Sequence, residues 1–329
     1  MTDVGVPSIG DVVTAVPRYN RRWARNFAKT LSRIDDRRNA LTLVCQWAII
    51  ISAGGAAIYI HRWYGYGLAA LLIGSRLQFL AVLMHDACHH TLFSNRLVND
   101  FVGTYFVSYP LGIDLALYRA SHLRHHRFIN TPEDRDYVFQ TSDPDQRFPK
   151  SPRAMAWLLV KSAIQLNVVP MLWFARLWVP FFNLHNPPHL DIEYQLPMRL
   201  RYLTWAGLVY GLIIWSPFTV PILAMYLIPL AIWSNLFNRM RAMAEHNGVA
   251  NTDELTGTRT VIPTMLDRFF IVPFNVSYHL EHHLFPTIPG RNLRALHEFL
   301  WQNEHYRAHA HVVRGYWSVL RELTTVSRG

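Results

Sequence analysis

The sequence predicts an all-α integral membrane protein, with four transmembrane helices in two hairpins, interfacial helices and a cytosolic helical cap. Three observations predict this fold. Of the 329 residues, 51% are hydrophobic and only 16% are charged, against about 25% charged residues in a typical globular domain. Long apolar runs with few charges occur in two pairs along the chain. The segments outside them contain three short histidine clusters, which hold nine of the 17 histidines.

The composition excludes several classes of protein. High hydrophobicity with few charges rules out a disordered chain. The two cysteines, Cys45 and Cys88, rule out a disulfide scaffold and a cysteine-rich metal site. A net charge of +10 suits nucleic acid, anionic lipid head groups or an acidic protein. Because the basic residues flank apolar runs and no nucleic-acid-binding motif occurs, we expect no nucleic-acid partner.

The first hairpin follows a polar, arginine-rich N-terminal segment, residues 1–40, which lacks the features of a signal peptide. The uncharged run at 41–60 has the length needed to cross a bilayer core of about 30 Å. A short loop leads to the second predicted span, residues 66–84. This span contains Arg76 and Gln78, which should face protein rather than lipid.

The second hairpin is nearly free of charge and has predicted spans at 200–216 and 219–238, separated by a break near Pro217. Each span is close to the lower length limit for crossing. Two further apolar stretches, 101–118 and 157–182, contain prolines and charges. We expect both to lie along the membrane surface, although either could instead cross the bilayer.

The distribution of basic residues predicts the orientation. The tips of the two hairpins contain His61 and Arg62, whereas nearly all other basic residues lie on the opposite side. The positive-inside tendency therefore places both termini, the histidine clusters and the cap, residues 85–199 and 239–329, in the cytosol. We treat residues 41–329 as one membrane domain, expected in a bacterial inner membrane.

The three histidine clusters indicate metal binding. Residues three or four apart share a face of a helix, and two of the clusters have the same i, i+3, i+4 spacing. Gathering imidazoles has no packing benefit, and any protonated pair would repel. His246, just after the second hairpin, is a further candidate. The ten predicted metal ligands are His85, His89, His90, His122, His125, His126, His246, His279, His282 and His283.

Ten imidazoles exceed the roughly four ligands of one zinc ion and suit two metal ions with open positions. Imidazole binds zinc, copper, iron and nickel. Two iron ions that react with O₂ best explain a site at the membrane surface, where an apolar chain in the bilayer is within reach. Nearby acids either accept the second N–H of a ligand imidazole or are solvated turn residues. These acids are Asp86, Asp136, Glu245 and Glu281.

Three motifs carry a resemblance to a known family. The sequences HDACHH at 85–90, HLRHH at 122–126 and HLEHH at 279–283 resemble the histidine boxes of membrane fatty acid desaturases and related hydroxylases. The resemblance implies a histidine-bound, non-haem di-iron centre that uses O₂ and two electrons from an external donor, such as a ferredoxin. It implies removal of hydrogen from an unactivated C–H bond. Loss of a second hydrogen gives an alkene, whereas oxygen rebound gives an alcohol.

Two features depart from a simple acyl-CoA desaturase. Ala242 stands where animal acyl-CoA desaturases have an asparagine, and the string at 245–248 resembles membrane alkane hydroxylases. We therefore expect a desaturase of an acyl chain or lipid, with a hydroxylase or ketolase acting on a carotenoid or other apolar molecule as the alternative. A non-catalytic metal carrier is a third hypothesis, but it needs polar residues along the spans. The strongly polar residues in the interior of the spans are Gln46, Arg76 and Gln78, too few to form a path, which argues against a carrier.

Several arginines lie near the second and third boxes. They could bind an anionic head group or an acidic electron carrier, or they could reflect the ordinary positive-inside excess. These arginines are Arg119, Arg124, Arg127, Arg291 and Arg294.

Overall fold

The computed structural model describes residues 19–164 and 196–324. The first 18 residues of the predicted N-terminal segment and most of the predicted interfacial stretch at 157–182 lie outside this part. Helices α1 to α7 are Arg25–Leu31, Asp36–Ile60, Trp63–Cys88, Arg96–Val102, Leu115–Phe128, Arg135–Ser142 and Pro152–Ala163. Helices α8 to α14 are Leu196–Ile214, Thr219–His246, Met265–Phe270, His279–Leu284, Leu293–Leu300, Glu304–His309 and Tyr316–Glu322. Strands β1 and β2 are Thr260–Ile262 and Val312–Arg314.

Three of the described helices, α2, α3 and α9, are long and apolar enough to cross a membrane. They contain the predicted spans 41–60, 66–84 and 219–238. The predicted span 200–216 falls largely in α8, which is not among the three. Arg199 and Arg201 near the start of α8 lower its apolarity. The four-span arrangement therefore stays a prediction.

The polar residues of α3 face protein, as the sequence predicts. The guanidinium of Arg76 donates to the Gln46 side chain and to the Phe269 carbonyl, at 3.3 and 2.5 Å. It also lies 4.3 Å from the centre of the Phe269 ring. Gln78 donates to the carbonyl of Ile271 at 3.4 Å. These contacts fix α10 and the turn after it against α3, because an unpaired polar group in the bilayer would be costly.

Helices α3 and α9 approach each other most closely at Gly74. A Cβ atom at this position would lie 2.2 Å from Cβ of Trp233 and 3.1 Å from the carbonyl oxygen of Pro229. Pro229 has no N–H to donate, and the helix widens to π geometry directly after it, at Leu230–Ser234. The close approach aligns the two helices, so that His85 of α3 and His246 of α9 lie in the same region.

The predicted interfacial stretch 101–118 is not one helix. Helix α4 continues as a π segment, Gly103–Ser108, and a short 3₁₀ turn, Tyr109–Leu111. Gly112 then adopts a left-handed conformation with φ of 75°, which ends the helix. Asp114 begins α5 by accepting hydrogen bonds from the next turn.

The cap contains a feature that the all-α prediction missed. Strands β1 and β2 pair in parallel, with Thr260 opposite Val312 and Ile262 opposite Arg314. Each strand has only three residues, too few for an alternating pattern to show in the sequence. The pair joins the segment after α9 to the segment before α14. Further short helical turns are Arg22–Ala24, Pro144–Gln146, Pro273–Asn275 and Gly290–Asn292.

Candidate metal centre

Nine of the ten predicted ligand histidines come together in two adjacent groups. Within each group, the possible ligand atoms lie within 4.8 Å of one another. Group one consists of His85, His89, His122, His126 and His282. Group two consists of His125, His246, His279 and His283. The groups touch, since the rings of His126 and His283 stack with centroids 4.2 Å apart.

Helix geometry explains how the clusters divide between the groups. Side chains four residues apart lie on one face of a helix, whereas the residue at i+3 is rotated relative to both. On α5, His122 and His126 join group one and His125 joins group two. On α11 the outer pair joins group two, and His282 joins group one. Each of these two helices therefore contributes to both groups.

The converging nitrogen atoms make up a set of donors that could hold a metal ion. The Nε2 atoms of His126 and His282 lie 2.9 Å apart, as do those of His246 and His279. The Nε2 atoms of His85 and His89 are buried and have no hydrogen-bond partner within the described chain. Neutral imidazole lone pairs that point at one another without partners fit transition-metal ions.

The environment keeps most of these imidazoles neutral. His125 is the exception, because burial lowers its pKa but Asp134 more than offsets this and raises it. Burial, followed by repulsion from neighbouring imidazoles, holds the pKa values of His122, His126 and His282 well below the usual histidine range. Burial and the charge of Arg119 lower the pKa of His89 to about 3. Because metals bind the deprotonated ring, a site with these pKa values is ready to bind at neutral pH.

A fully buried arginine supports the end of α9, where His246 is the last residue. The Arg259 guanidinium donates to the carbonyl oxygen of Ala244 at 2.8 Å and to that of Gly248 at 3.3 Å. A cation at a helix C-terminus interacts favourably with the partial negative charge there. Arg259 also pairs with Glu322 of α14 at 3.1 Å. The last helix of the described chain thereby braces the position of His246.

Asp134, which the sequence analysis did not single out, forms the closest carboxylate contact of the two groups. Its Oδ2 atom lies 2.8 Å from Nδ1 of His125, and both side chains are buried. Asp136, the predicted partner, lies farther away at 3.8 Å. One feature of the sequence could have identified Asp134. It directly precedes α6 and is a residue type that often caps a helix.

Among the other predicted acids, Glu245 lies nearest to an imidazole of the two groups. Its Oε1 atom is 3.5 Å from Nδ1 of His279 and 2.6 Å from Nε of Arg241. Asp86 is 4.0 Å from Nδ1 of His85, beyond hydrogen-bond distance. Its carboxylate instead accepts from the backbone N–H of Gly290 at 3.3 Å.

Glu281 occupies a different environment from the one predicted. Its carboxylate is fully buried and accepts from the Thr260 hydroxyl at 2.5 Å and the Tyr306 hydroxyl at 2.6 Å. Its third partner is Nδ1 of His297, at 2.5 Å. Glu281 therefore anchors α11 to the cap. His297, which belongs to none of the three histidine clusters, is part of this anchor.

His90, the tenth predicted ligand, lies outside both groups. Helix α3 ends at Cys88, and His90 adopts a left-handed backbone conformation with φ of 56°. Its Nδ1 atom lies 3.5 Å from the carboxylate of Asp100, which also pairs with Arg119. The turn after α3 thus directs the His90 ring away from the group that His85 and His89 join.

Comparison with known proteins gives a consistent set of matches. The family described as fatty acid desaturase matches residues 61–315, which include all the histidines of both groups. Dihydrorhizobitoxine desaturase of Bradyrhizobium elkanii is 27% identical over 82% of this chain and 77% of its own length. A chloroplastic omega-6 fatty acid desaturase of Arabidopsis thaliana is 26% identical over 91% of this chain and 66% of its own length.

A putative sphingolipid delta(4)-desaturase/C4-monooxygenase of Caenorhabditis elegans is also 26% identical, over 66% of this chain and 53% of its own length. The chain thus spans less than two thirds of the length of several of these relatives.

Proposed function

Because the chain belongs to the fatty acid desaturase family, we propose that it is a membrane-bound di-iron oxidoreductase that uses O₂ to desaturate an acyl chain or another apolar lipid. One observation carries the proposal. Two adjacent groups of buried and half-buried imidazoles lie at the ends of helices that are apolar enough to cross a membrane. A site in this position can meet a chain that lies in the bilayer.

Group one would hold one iron with five imidazoles, and group two would hold the other with four. Bound iron would supply the O₂ activation that breaking an unactivated C–H bond requires. In the net reaction, the substrate loses two hydrogens from adjacent carbons. O₂ takes these up together with two protons and two external electrons, and it leaves as two water molecules.

The chain's own residues prepare the imidazoles for this chemistry. Asp134 holds a proton on Nδ1 of His125, so the Nε2 lone pair of that ring is free to bind. Glu245 lies 3.5 Å from Nδ1 of His279 and forms no hydrogen bond with it, so its contribution there is its negative charge. Such outer partners fix the tautomer and orientation of a ligand ring. Five of the nine rings are buried and four are half-buried, which limits the access of water to the ligand nitrogens.

The relatives leave the substrate class broad. Their names refer to fatty acids, sphingolipids and dihydrorhizobitoxine. The name of one relative joins a desaturase and a monooxygenase, and this supports hydroxylation as the second candidate reaction. The two reactions share the first hydrogen removal and then diverge. The positive-inside pattern of the sequence supports a cytosolic site. The proposal further places the protein in a bacterial inner membrane and gives it an external ferredoxin-like electron donor.

The test is expression in a bacterial host of known lipid profile, with untargeted mass spectrometry of lipids and small molecules. A product lighter than its precursor by two hydrogens supports desaturation, and one heavier by an oxygen atom supports hydroxylation. We expect His282→Ala and His283→Ala, one from each group, to abolish turnover and lower the iron content. His90→Ala is the matched control and should keep both. Protein purified from iron-replete cells without iron would refute the proposal, as would full activity in the His282 variant.

A further inference from the structure

A basic pocket of about 500 Å³ lies in the cap beside the third histidine cluster. Its wall includes Ile262 of β1, Val312 of β2 and residues of α10 and α12. Three arginines line it, namely Arg268, Arg294 and Arg314.

The pocket has a positive charge. Within the described chain, Glu298 is its acidic lining residue, and this carboxylate pairs with Arg294 at 2.8 Å in an exposed contact. Arg268 donates to the neutral amide oxygen of Asn275 at 3.1 Å. No ion pair in the described part of the chain involves Arg268 or Arg314. Two guanidinium charges therefore remain uncompensated and would attract an anionic partner.

A column of three aromatic rings lies in the wall of the pocket and ends at the residue before His279 of group two. Trp301 is 38% exposed at the pocket, and its ring lies 5.4 Å from that of buried His297. The His297 ring lies 5.3 Å from that of Tyr278, which also lines the pocket. Tyr278 directly precedes His279, a member of group two. Through its Nδ1 atom, His297 also donates to Glu281 on α11.

We propose that this pocket is the docking site for an acidic one-electron carrier, such as an iron–sulfur protein with a carboxylate-rich face. The inference rests on the proposed function, which needs two electrons from outside the chain. Each reduced carrier gives up one electron and leaves oxidised, so two successive dockings supply one turnover. Arginines attract and orient carboxylates, and the aromatic column gives the electron a short route to the metal ligands.

An anionic lipid head group is the competing occupant, because α10 exposes Met265 and Leu266 next to the pocket. The column of Trp301, His297 and Tyr278 favours the carrier, since head-group binding has no use for rings that lead to His279. The experiment must therefore separate these two occupants.

The test uses the full-length protein with a plant-type ferredoxin, its reductase and NADPH as the electron source. The double variant R294Q/R314Q removes two exposed charges from the pocket and should raise the KM for ferredoxin about tenfold. The kcat at saturating ferredoxin should be retained, and the salt dependence of KM should weaken. The control R153Q/R307Q removes two exposed arginines outside the pocket and should leave KM near the wild-type value.

A second pair of variants tests the aromatic column. Trp301→Leu should lower the kcat at saturating ferredoxin several-fold, whereas Trp301→Phe keeps a ring and should retain most of it. An unchanged ferredoxin KM in R294Q/R314Q would overturn the docking site while leaving the proposed function intact. A ferredoxin KM that rises equally in R153Q/R307Q would also overturn the docking site. Weaker binding to vesicles rich in phosphatidylglycerol with an unchanged ferredoxin KM would assign the pocket to lipid. Wild-type protein without iron or turnover would overturn both proposals.

Discussion

Replacing Asp134 with asparagine tests whether one carboxylate controls metal binding in group two. Asp134 and His125 are 1% and 3% exposed, with 2.8 Å between their interacting atoms. Burial lowers the pKa of His125, but the hydrogen bond and charge of Asp134 more than offset this and raise it. Asparagine keeps the shape of the side chain and is a good capping residue for α6. The substitution therefore removes the charge and one of the two acceptor oxygens, which contact His125, Asn130 and Asp136.

The expected magnitude follows from this contact. Loss of an outer partner of a metal ligand costs about 10- to 100-fold in affinity, which is roughly 1.4 to 2.8 kcal/mol. We expect the upper part of this range, because a hydrogen bond to an ionised group is about twice as strong as a neutral one. Only one metal ion of the two should be affected, since His125 belongs to group two.

The assay is a titration of metal-free protein with Co²⁺, followed by iron counting after a graded chelator challenge. The variant should lose about one ion at chelator concentrations that leave the wild-type protein loaded. Asp143→Asn is the matched control, because Asp143 also caps a helical turn by accepting a backbone N–H, at 2.9 Å. Retention of both ions in Asp134→Asn at wild-type affinity would refute the reasoning, and so would an equal loss in the control.

Three further predictions concern packing, ligand choice and pH. Gly74→Ala should lower the melting temperature in detergent, since its Cβ would lie 2.2 Å from that of Trp233 and overpacking costs about 1–3 kcal/mol. Gly207→Ala, with nothing within 4 Å of its Cβ, should not. His90→Ala should keep the wild-type iron content, measured by mass spectrometry, because the ring lies outside both groups. The pKa of His89 is lowered to about 3, so the folded metal-free protein holds this ring neutral. Its stability should therefore be full above the unfolded pKa of about 6.5 and fall as the pH drops towards 3, and His89→Gln should flatten this dependence of the melting temperature.

The parts of the fold that depend on local periodicity could be predicted from the sequence. The apolar runs in α2, α3 and α9 are long and nearly uncharged, so their positions follow from composition alone. Arg76 is predicted to face protein because exposing a charged group to the lipid core has a high free-energy cost. The three histidine boxes that carry the family resemblance are also short local motifs. The family comparison confirms this resemblance.

Contacts between distant segments could not be predicted in this way. Asp134 lies nine residues after His125, in a loop whose mixed charges are typical of a solvated surface. Glu281 lies between His279 and His282 in the sequence. Its partners Thr260 and Tyr306 nevertheless come from elsewhere in the cap. His90 follows the end of a helix, and the backbone turn there decides where its ring lies. In each case the deciding contact depends on tertiary packing rather than on spacing.

The anchoring of α11 explains how so short a helix can serve two metal positions. A helix of six residues is unstable by itself in water, and an imidazole displaced by one turn would leave its group. Leu280 and Leu284 are fully buried in the cap, while Glu281 accepts hydrogen bonds from three side chains. Apolar burial and a polar anchor thus fix the helix on the side opposite to its histidines. Since His282 joins group one and His279 joins group two, any loosening of this anchor must disturb both groups together.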